Sequence, residues 1–198
     1  MAKRNAFAFH PVTPDRWTDL ETLFGPKGAC GGCWCMLNRV PRKTLDAQKG
    51  DGNREAMKEL VDSGQVPGIL AYDKGEPVAW CSVAPRDAFP GLERSRIMKP
   101  IDDTPVWSVT CFFIRKSHRR RGLSVALLEA ACAYVKEQGG DVVEGYPIEP
   151  RKPEMPDTFA WLGLAAAYRK AGFIEVLRRS ETRPIMRRSL SKGSRKRG

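Results

Sequence analysis

The 198-residue sequence lacks most of the signatures that assign a chemistry at sight. No Gly-x4-Gly-Lys-Ser/Thr occurs, so a Walker phosphate loop is excluded, and no Gly-x-Gly-x-x-Gly follows a strand, so the usual dinucleotide fingerprint is excluded too. No apolar run approaches the roughly 20 residues needed to span a bilayer. The N-terminal stretch MAKRNAFAFHPVTPDRW has two basic residues and no apolar core of a secretory signal, so the expectation is a cytoplasmic protein. Histidine is scarce: His10 and His118 are the two present, and neither neighbours a cysteine in a way that suggests a thiol nucleophile. Aromatic and basic residues do not interleave as they do on RNA-binding sheets.

Carboxylates are also in the minority. Twenty-three acidic residues face 34 basic ones, for a formal net charge of +11. Part of the excess lies in the last residues, SLSKGSRKRG, where Lys192, Arg195, Lys196 and Arg197 have no apolar pattern around them. The expected organisation is one domain over residues 1–190 and a basic, disordered tail over 191–198. The remaining excess favours an anionic ligand. Six cysteines without a signal sequence point to free thiols, a metal site or a redox site rather than a disulfide framework. Cys81, Cys111 and Cys132 lie in apolar runs and read as small core residues.

The most informative stretch is Val106 to Tyr146. VWSVTCFFI (106–114) is apolar on both faces and free of Gly and Pro, as suits an interior strand. RKSHRRRGLS (115–124) then carries five Lys or Arg residues and one glycine. Leu123, Leu127, Ala130, Ala131, Tyr134 and Val135 follow at spacings of three and four and predict one face of a helix, stopped at Gly139-Gly140. Val142 to Tyr146 resumes as a short strand. A strand, a glycine turn and a helix start form an anion site, because the first helical N–H groups lack intrahelical partners and the helix dipole adds positive potential. Gly122 lets a phosphate approach the backbone. A solvated basic face is the plainer reading of the same charges, and the flanking strands and helix favour the phosphate.

Arg119-Arg120-Arg121-Gly122-Leu123-Ser124 fits Arg/Gln-x-x-Gly-x-Gly/Ala, with Ser124 as a small departure at the last place. In this setting the motif resembles that of the GNAT superfamily of acyl-CoA-dependent N-acetyltransferases. The resemblance implies that Arg119, Arg120, Arg121, Gly122, Leu123 and Ser124 hold the pyrophosphate of acetyl-CoA. It places the pantetheine arm along Phe112, Phe113 and Ile114, whose backbone N–H groups would polarise the thioester carbonyl. It also implies an α/β (α+β) fold, a mixed, mostly antiparallel sheet of about seven strands flanked by helices, with two central strands splayed around CoA.

A second block agrees. WLGLAAAYRKA (161–171) predicts a helix running into Gly172-Phe173, and Tyr168-x-x-x-Gly172-Phe173 is similar to a helix ending of the same family. There the tyrosine is proposed to protonate the departing thiolate, a role open to a phenol; a core tyrosine is the plainer reading. Trp161 stands where many members carry Asn. The strand 106–114 offers no carboxylate, so Glu144 on the next strand is the first candidate for general base, and Asp102 and Asp103 follow.

GACGGCWCMLNRVP (28–41) gathers Cys30, Cys33 and Cys35 within six residues. Three readings stand. Trp34 and Met36 could wall the acceptor pocket, as the segment after the first helix does in the resembled family. The thiols could ligate zinc, although no fourth ligand is local, so no metal is assigned. Cys30 and Cys33 could form a redox pair. GCWCM is also similar to a segment in a bacterial subgroup of GNAT proteins of unknown substrate.

Elsewhere, the sequence predicts a strand over Ala6–Phe9 and a helix from Thr13 to Phe24. A further helix is expected over Arg54–Asp62, a hairpin from Gly68–Tyr72 and Val78–Ala84 and a partial helix within Ala88–Met98. A proline-rich loop over Pro147–Pro156 and two last strands over Ile174–Ser180 and Arg183–Leu190 complete the chain. The leading expectation is an acetyl-CoA-dependent N-acetyltransferase acting on a small-molecule or protein amine, with a homodimer compatible and no membrane partner. The alternatives are a non-catalytic acyl-CoA-binding module and a nucleic-acid-associated protein using the basic turn and tail.

Overall fold

The computed structural model describes residues 7–150 and 161–190. The basic tail and most of the proline-rich stretch lie outside the described residues. Among the described residues the core element is one seven-stranded sheet in the order β1-β2-β3-β4-β5-β7-β6. Its strands are β1 (Ala8–Pro11), β2 (Gly68–Asp73), β3 (Glu76–Pro85), β4 (Trp107–Ile114), β5 (Val142–Gly145), β6 (Ile174–Ser180) and β7 (Arg183–Ser189). Every neighbouring pair is antiparallel except β4 with β5. β1 starts two residues later than the sequence suggested and forms one edge, where Pro11 needs no donor.

The β2–β3 hairpin closes on Lys74 and Gly75, both at positive φ (54° and 87°), the two-residue turn whose twist matches that of paired strands. The helices are α1 (Trp17–Phe24), α2 (Arg42–Ala47), α3 (Asp51–Asp62), α4 (Pro90–Glu93), α5 (Leu123–Glu137) and α6 (Ala165–Lys170). Pro14–Arg16 is a 3-10 turn rather than the first turn of α1. α2 was absent from the sequence reading, and α3 starts earlier than expected, at Asp51, just after Gly50, whose φ of 90° turns the chain into it. α6 is shorter than predicted. Gly163 adopts φ 83° and Leu164 is extended, so Trp161–Leu164 stays outside the helix.

Two cores form on the two faces of the sheet. On one, Leu127, Leu128, Ala131 and Val135 of α5 pack over Ile69, Cys81, Val83, Val109 and Val143, with Tyr168 and Phe173 closing the side. On the other, α1, α3 and the 29–40 loop bury Trp17, Phe24, Trp34, Met57, Leu70 and Trp80. Apolar alternation in β2 and β3 supplies both faces, as an interior strand requires. A third, smaller cluster of Phe89, Leu92, Tyr146, Leu162 and Ile185 lies below β5.

Candidate active site

The site is built on β4. Ser82 of β3 pairs with Cys111, and Val83 pairs with Val109, so Thr110 is an extra residue on β4, a β-bulge. Its hydroxyl donates to Ser82 Oγ at 3.2 Å, which satisfies it where no solvent reaches. Before the bulge, Trp107, Ser108 and Val109 run parallel to Val143, Glu144 and Gly145 of β5. After it, no β5 residue pairs with Cys111–Ile114, so the β4–β5 ladder stops and leaves a notch in the backbone pairing.

The notch is floored by the Tyr168 ring. This residue is fully buried (0% exposed). It meets Phe112 edge-on at 6.2 Å and Phe173 at 5.0 Å. Two glycines make room. A Cβ on Gly145 would overlap the Tyr168 ring, and one on Gly163 would lie 2.9 Å from that ring and 3.0 Å from the ring of Phe112. The sequence reading passed over both, although a glycine inside the β5 pattern is itself a sign of close approach. The Tyr168 hydroxyl donates to the Leu162 carbonyl at 3.3 Å. Burial, and then the neighbouring thiols, push its phenol well up, so it holds its proton. The Phe112 N–H donates to the Trp161 carbonyl at 2.6 Å, so the segment before α6 lies against the notch.

Beyond Ile114 the chain makes a 3-10 turn (Lys116–His118), sets Arg120 at φ 60° and Gly122 at φ 81°, and enters α5. No side chain caps the helix. A Cβ at Gly122 would meet nothing within 4 Å, so the turn is open from outside. Uncapped N–H groups at an open turn suit an oxyanion. The arginines divide. Arg119 Nε donates to the Ile114 carbonyl at 3.1 Å. Arg121 lies 3.3 Å from Asp73 and over the Phe7 ring, and His118 also reaches Asp73, at 3.2 Å. Asp73, at the end of β2, thus shares part of the positive charge of the turn, a counter-ion the sequence did not reveal.

Glu144 does not stand open to a substrate. It is 1% exposed. Its Oε1 accepts from Arg86 Nη1 (2.9 Å) and from the Tyr146 hydroxyl (2.6 Å), and its Oε2 accepts from Arg187 Nε (2.7 Å). Ser108 Oγ meets the Tyr146 hydroxyl at 3.0 Å. The expected general base is therefore a buried anion clamped between two guanidiniums. Asp102 is taken as well. Arg187 grips it with two bonds of 2.7 and 3.0 Å, which holds its carboxyl well below the usual range, and this pairing removes it as a base. Asp103 is exposed beside it.

The pocket-wall expectation for Trp34 and Met36 also changes. Both are 4% exposed and packed in the second core, with Trp34 stacked on Trp17 at 6.0 Å. The nearby cavity, about 230 Å³, is lined instead by Cys33, Leu37, Arg42, Leu45, Asp46, Lys49 and Asn53, among others. Cys81 and Cys132 are buried as core residues, whereas Cys111 is partly exposed and its sulfur lies 3.0 Å from that of Cys35. Among the described residues, no three His, Cys, Asp or Glu side chains converge as metal ligands. Nor is any helix among them long and apolar enough to cross a membrane.

A mixed, mostly antiparallel seven-stranded sheet flanked by helices, with a bulged central strand and an open basic turn at a helix start, is the fold shared by GNAT structures. The sequence matches the acetyltransferase (GNAT) family over residues 35–152, and the chain belongs to that family. Solved structures share the fold at low identity. A GNAT-family structure from Desulfovibrio desulfuricans aligns with 16% identity and TM-score 0.52, over 94% of this chain and 100% of that one. A GNAT acetyltransferase from Listeria monocytogenes aligns with 10% identity and TM-score 0.54, over 92% and 94%. The PaiA N-acetyltransferase of Thermoplasma acidophilum, solved in complex with coenzyme A, aligns with 11% identity and TM-score 0.51, over 93% and 99%. No curated protein matches the sequence.

Proposed function

We propose that the protein transfers an acetyl group from acetyl-CoA to an amine of a small molecule or protein. The observation that carries this reading is the notch beyond Val109, continuous along β4 with an open, uncapped turn at Gly122. The residues present fit the co-substrate. The N–H groups of the first α5 turn and the Lys116 to Arg121 cations would take the pyrophosphate. Phe112, Phe113 and Ile114 would present backbone to the pantetheine arm. For that, the Phe112 N–H exchanges its Trp161 carbonyl partner for an oxygen of the ligand.

Direct transfer needs three proton or charge adjustments. The amine nitrogen attacks the thioester carbonyl, and backbone N–H groups of β4 stabilise the oxyanion that forms. The carbon–sulfur bond then breaks, and the Tyr168 hydroxyl, buried under the 161–164 segment and donating to the Leu162 carbonyl, supplies the proton to the thiolate once the ligand displaces that segment from Phe112. The amine loses its proton to water, because Glu144 is sealed and Asp102 is paired. Glu144 acts as a positioning residue: with Arg86 and Arg187 it fixes the paired half of β4 and β5 from which the notch opens.

The experiment is a calorimetric titration of the purified protein with acetyl-CoA at moderate salt. One saturable site, weakened in Gly122→Val, is the expected result, followed by an amine screen with Tyr168→Phe as control. Absence of heat at high micromolar acetyl-CoA would remove the acyl-transfer reading. Tight CoA binding without turnover on any amine would leave the acyl-CoA-binding module.

A further inference from the structure

Three thiols, Cys33, Cys35 and Cys111, gather where the 29–40 loop packs on the face of β4 away from α5. Cys35 is buried, and its sulfur lies 3.0 Å from that of Cys111, inside the van der Waals separation of two sulfurs and about 1 Å from a bonded pair. Cys33 is partly exposed, lines the 230 Å³ cavity, and stands two residues before Cys35 in the tightly turned loop. Cys35 thus has Cys111 of the central strand against its sulfur and Cys33, at the cavity wall, two residues before it in the chain.

The backbone that builds this row is held in unfavourable conformations. Trp34 and Cys35 have φ of 46° and 57°, and Ala29 has 67°, where L-residues are seldom found. Such conformations persist when the surroundings over-determine them, and they gather at functional places. Here the surroundings are specific. Asn53, fully buried, donates from Nδ2 to the carbonyls of Gly32 (2.9 Å) and Leu45 (3.0 Å). Gly50 N–H donates to the Gly32 carbonyl at 3.0 Å. The Trp34 ring sits so close to Gly28 that a Cβ there would strike it. A loop that only filled space would not need three non-glycine residues on the wrong side of φ.

We propose that Cys33, Cys35 and Cys111 form a thiol–disulfide relay in which a low-molecular-weight disulfide is reduced at Cys33 and Cys35–Cys111 becomes the stable oxidised pair. The chemistry balances. The Cys33 sulfur attacks one sulfur of the external disulfide, giving a mixed disulfide and one free small thiol. The Cys35 sulfur then attacks Cys33 and expels the second small thiol. Finally the Cys111 sulfur attacks Cys35, and Cys33 leaves as a thiol, taking back a proton. Two protein thiols are oxidised and one external disulfide is reduced to two thiols. Arg42 and Asp46 are ion-paired at 2.9 Å in the cavity wall, so Lys49 supplies the net positive charge beside Cys33.

The relay is slow at neutral pH. Hydrogen bonding to Cys35 and then burial push the Cys33 thiol far up, and the Cys111 contact raises Cys35 in the same sense. Since the thiolate is the attacking species, the rate rises with pH. The cross-link joins loop 28–40 to β4 at the residue before Phe112. Its chemistry is independent of acyl transfer.

The test equilibrates the full chain in glutathione buffers of increasing oxidised fraction, quenches with an alkylating agent, and reads intact mass and peptide map. Alkylatable thiols should fall from six to four, with one cross-link joining the Cys35 and Cys111 peptides, reversed by dithiothreitol. Cys33→Ser should slow cross-linking roughly tenfold or more and leave its final extent unchanged, because only access is lost. Cys111→Ser should stop at glutathione on Cys33 or at a Cys33–Cys35 bond. The proposal is overturned if Cys35 and Cys111 stay alkylatable in the most oxidising buffer while circular dichroism shows the native fold. Pairing through Cys30, Cys81 or Cys132 overturns it too, as does an unchanged rate in Cys33→Ser.

Discussion

The two halves of β4 are held by different kinds of interaction. Trp107–Val109 is paired on both sides by backbone hydrogen bonds, and beside it a buried carboxylate joins Arg86, Arg187, Tyr146 and Ser108. Cys111–Ile114 is paired on the β3 side, and on the other side it meets a loop carbonyl, an aromatic floor and a basic turn. The first half can be changed only by breaking secondary structure. The second half has a donor whose present partner can be exchanged for a ligand at no net loss of hydrogen bonds. On the proposed reading, stability and function are divided along one strand, with Thr110 as the boundary.

The sharpest way to break that division is Glu144→Gln. It leaves two guanidiniums without their buried anion and should cost about 3 kcal/mol or more of stability. Thermal melting reads the loss, and acetyl-CoA affinity measured well below the melting point should be unchanged. A normal melt with abolished turnover would instead return Glu144 to the role of base. Tyr168→Phe tests the other half. It removes a 3.3 Å hydrogen bond, so the melt should move little, while kcat falls about a hundredfold with KM unchanged. Equal kcat in the two proteins would reduce Tyr168 to a floor.

Gly122→Val should weaken acetyl-CoA about tenfold or more by setting a side chain over the turn at φ 81°. Titration calorimetry reads it, and unchanged affinity would detach the turn from the phosphate. The smallest effect belongs to Asp102. Arg187 depresses its folded-state pKa, so its stabilisation is complete above the unfolded value and is lost as pH falls through the folded one. Asp102→Asn should flatten only the acid limb of a plot of melting temperature against pH below about 4. Near neutrality the variant should melt lower by a small, pH-independent amount and converge with the wild type in acid; a difference that grows as pH falls would contradict the assignment.

Local pattern and remote partners account for what the sequence did and did not disclose. The strand–turn–helix–strand unit from Trp107 to Gly145 and the Lys74-Gly75 hairpin rest on neighbours within a few residues, and they fold where the pattern placed them. Glu144 misled because its partners are remote: Arg86 is 58 residues before it and Arg187 is 43 after it. Cys111 read as a core residue for the same reason, with Cys35 lying 76 positions away. α2 was missed because RKTLDA buries a single side chain, Leu45, too little for a period to show. The family resemblance supplied the turn's candidate role, which its composition alone left equal to a solvated face.

The bulge has one more consequence. Along an ordinary strand the face a side chain takes is fixed by parity. In β4, Trp107 and Val109 point toward α5, and so do Phe112 and Ile114, while Cys111 and Phe113 point to the opposite core. Odd numbers face α5 before Thr110 and even numbers after it, so the bulge is a half-wavelength slip in the strand's alternation. Drawing Thr110 into regular pairing, with the N-terminal end held in place, would turn Phe112 away from Tyr168 and send the two faces of the turn-proximal half into each other's cores. The composition of the strand would be almost untouched, and its reading frame would be reversed.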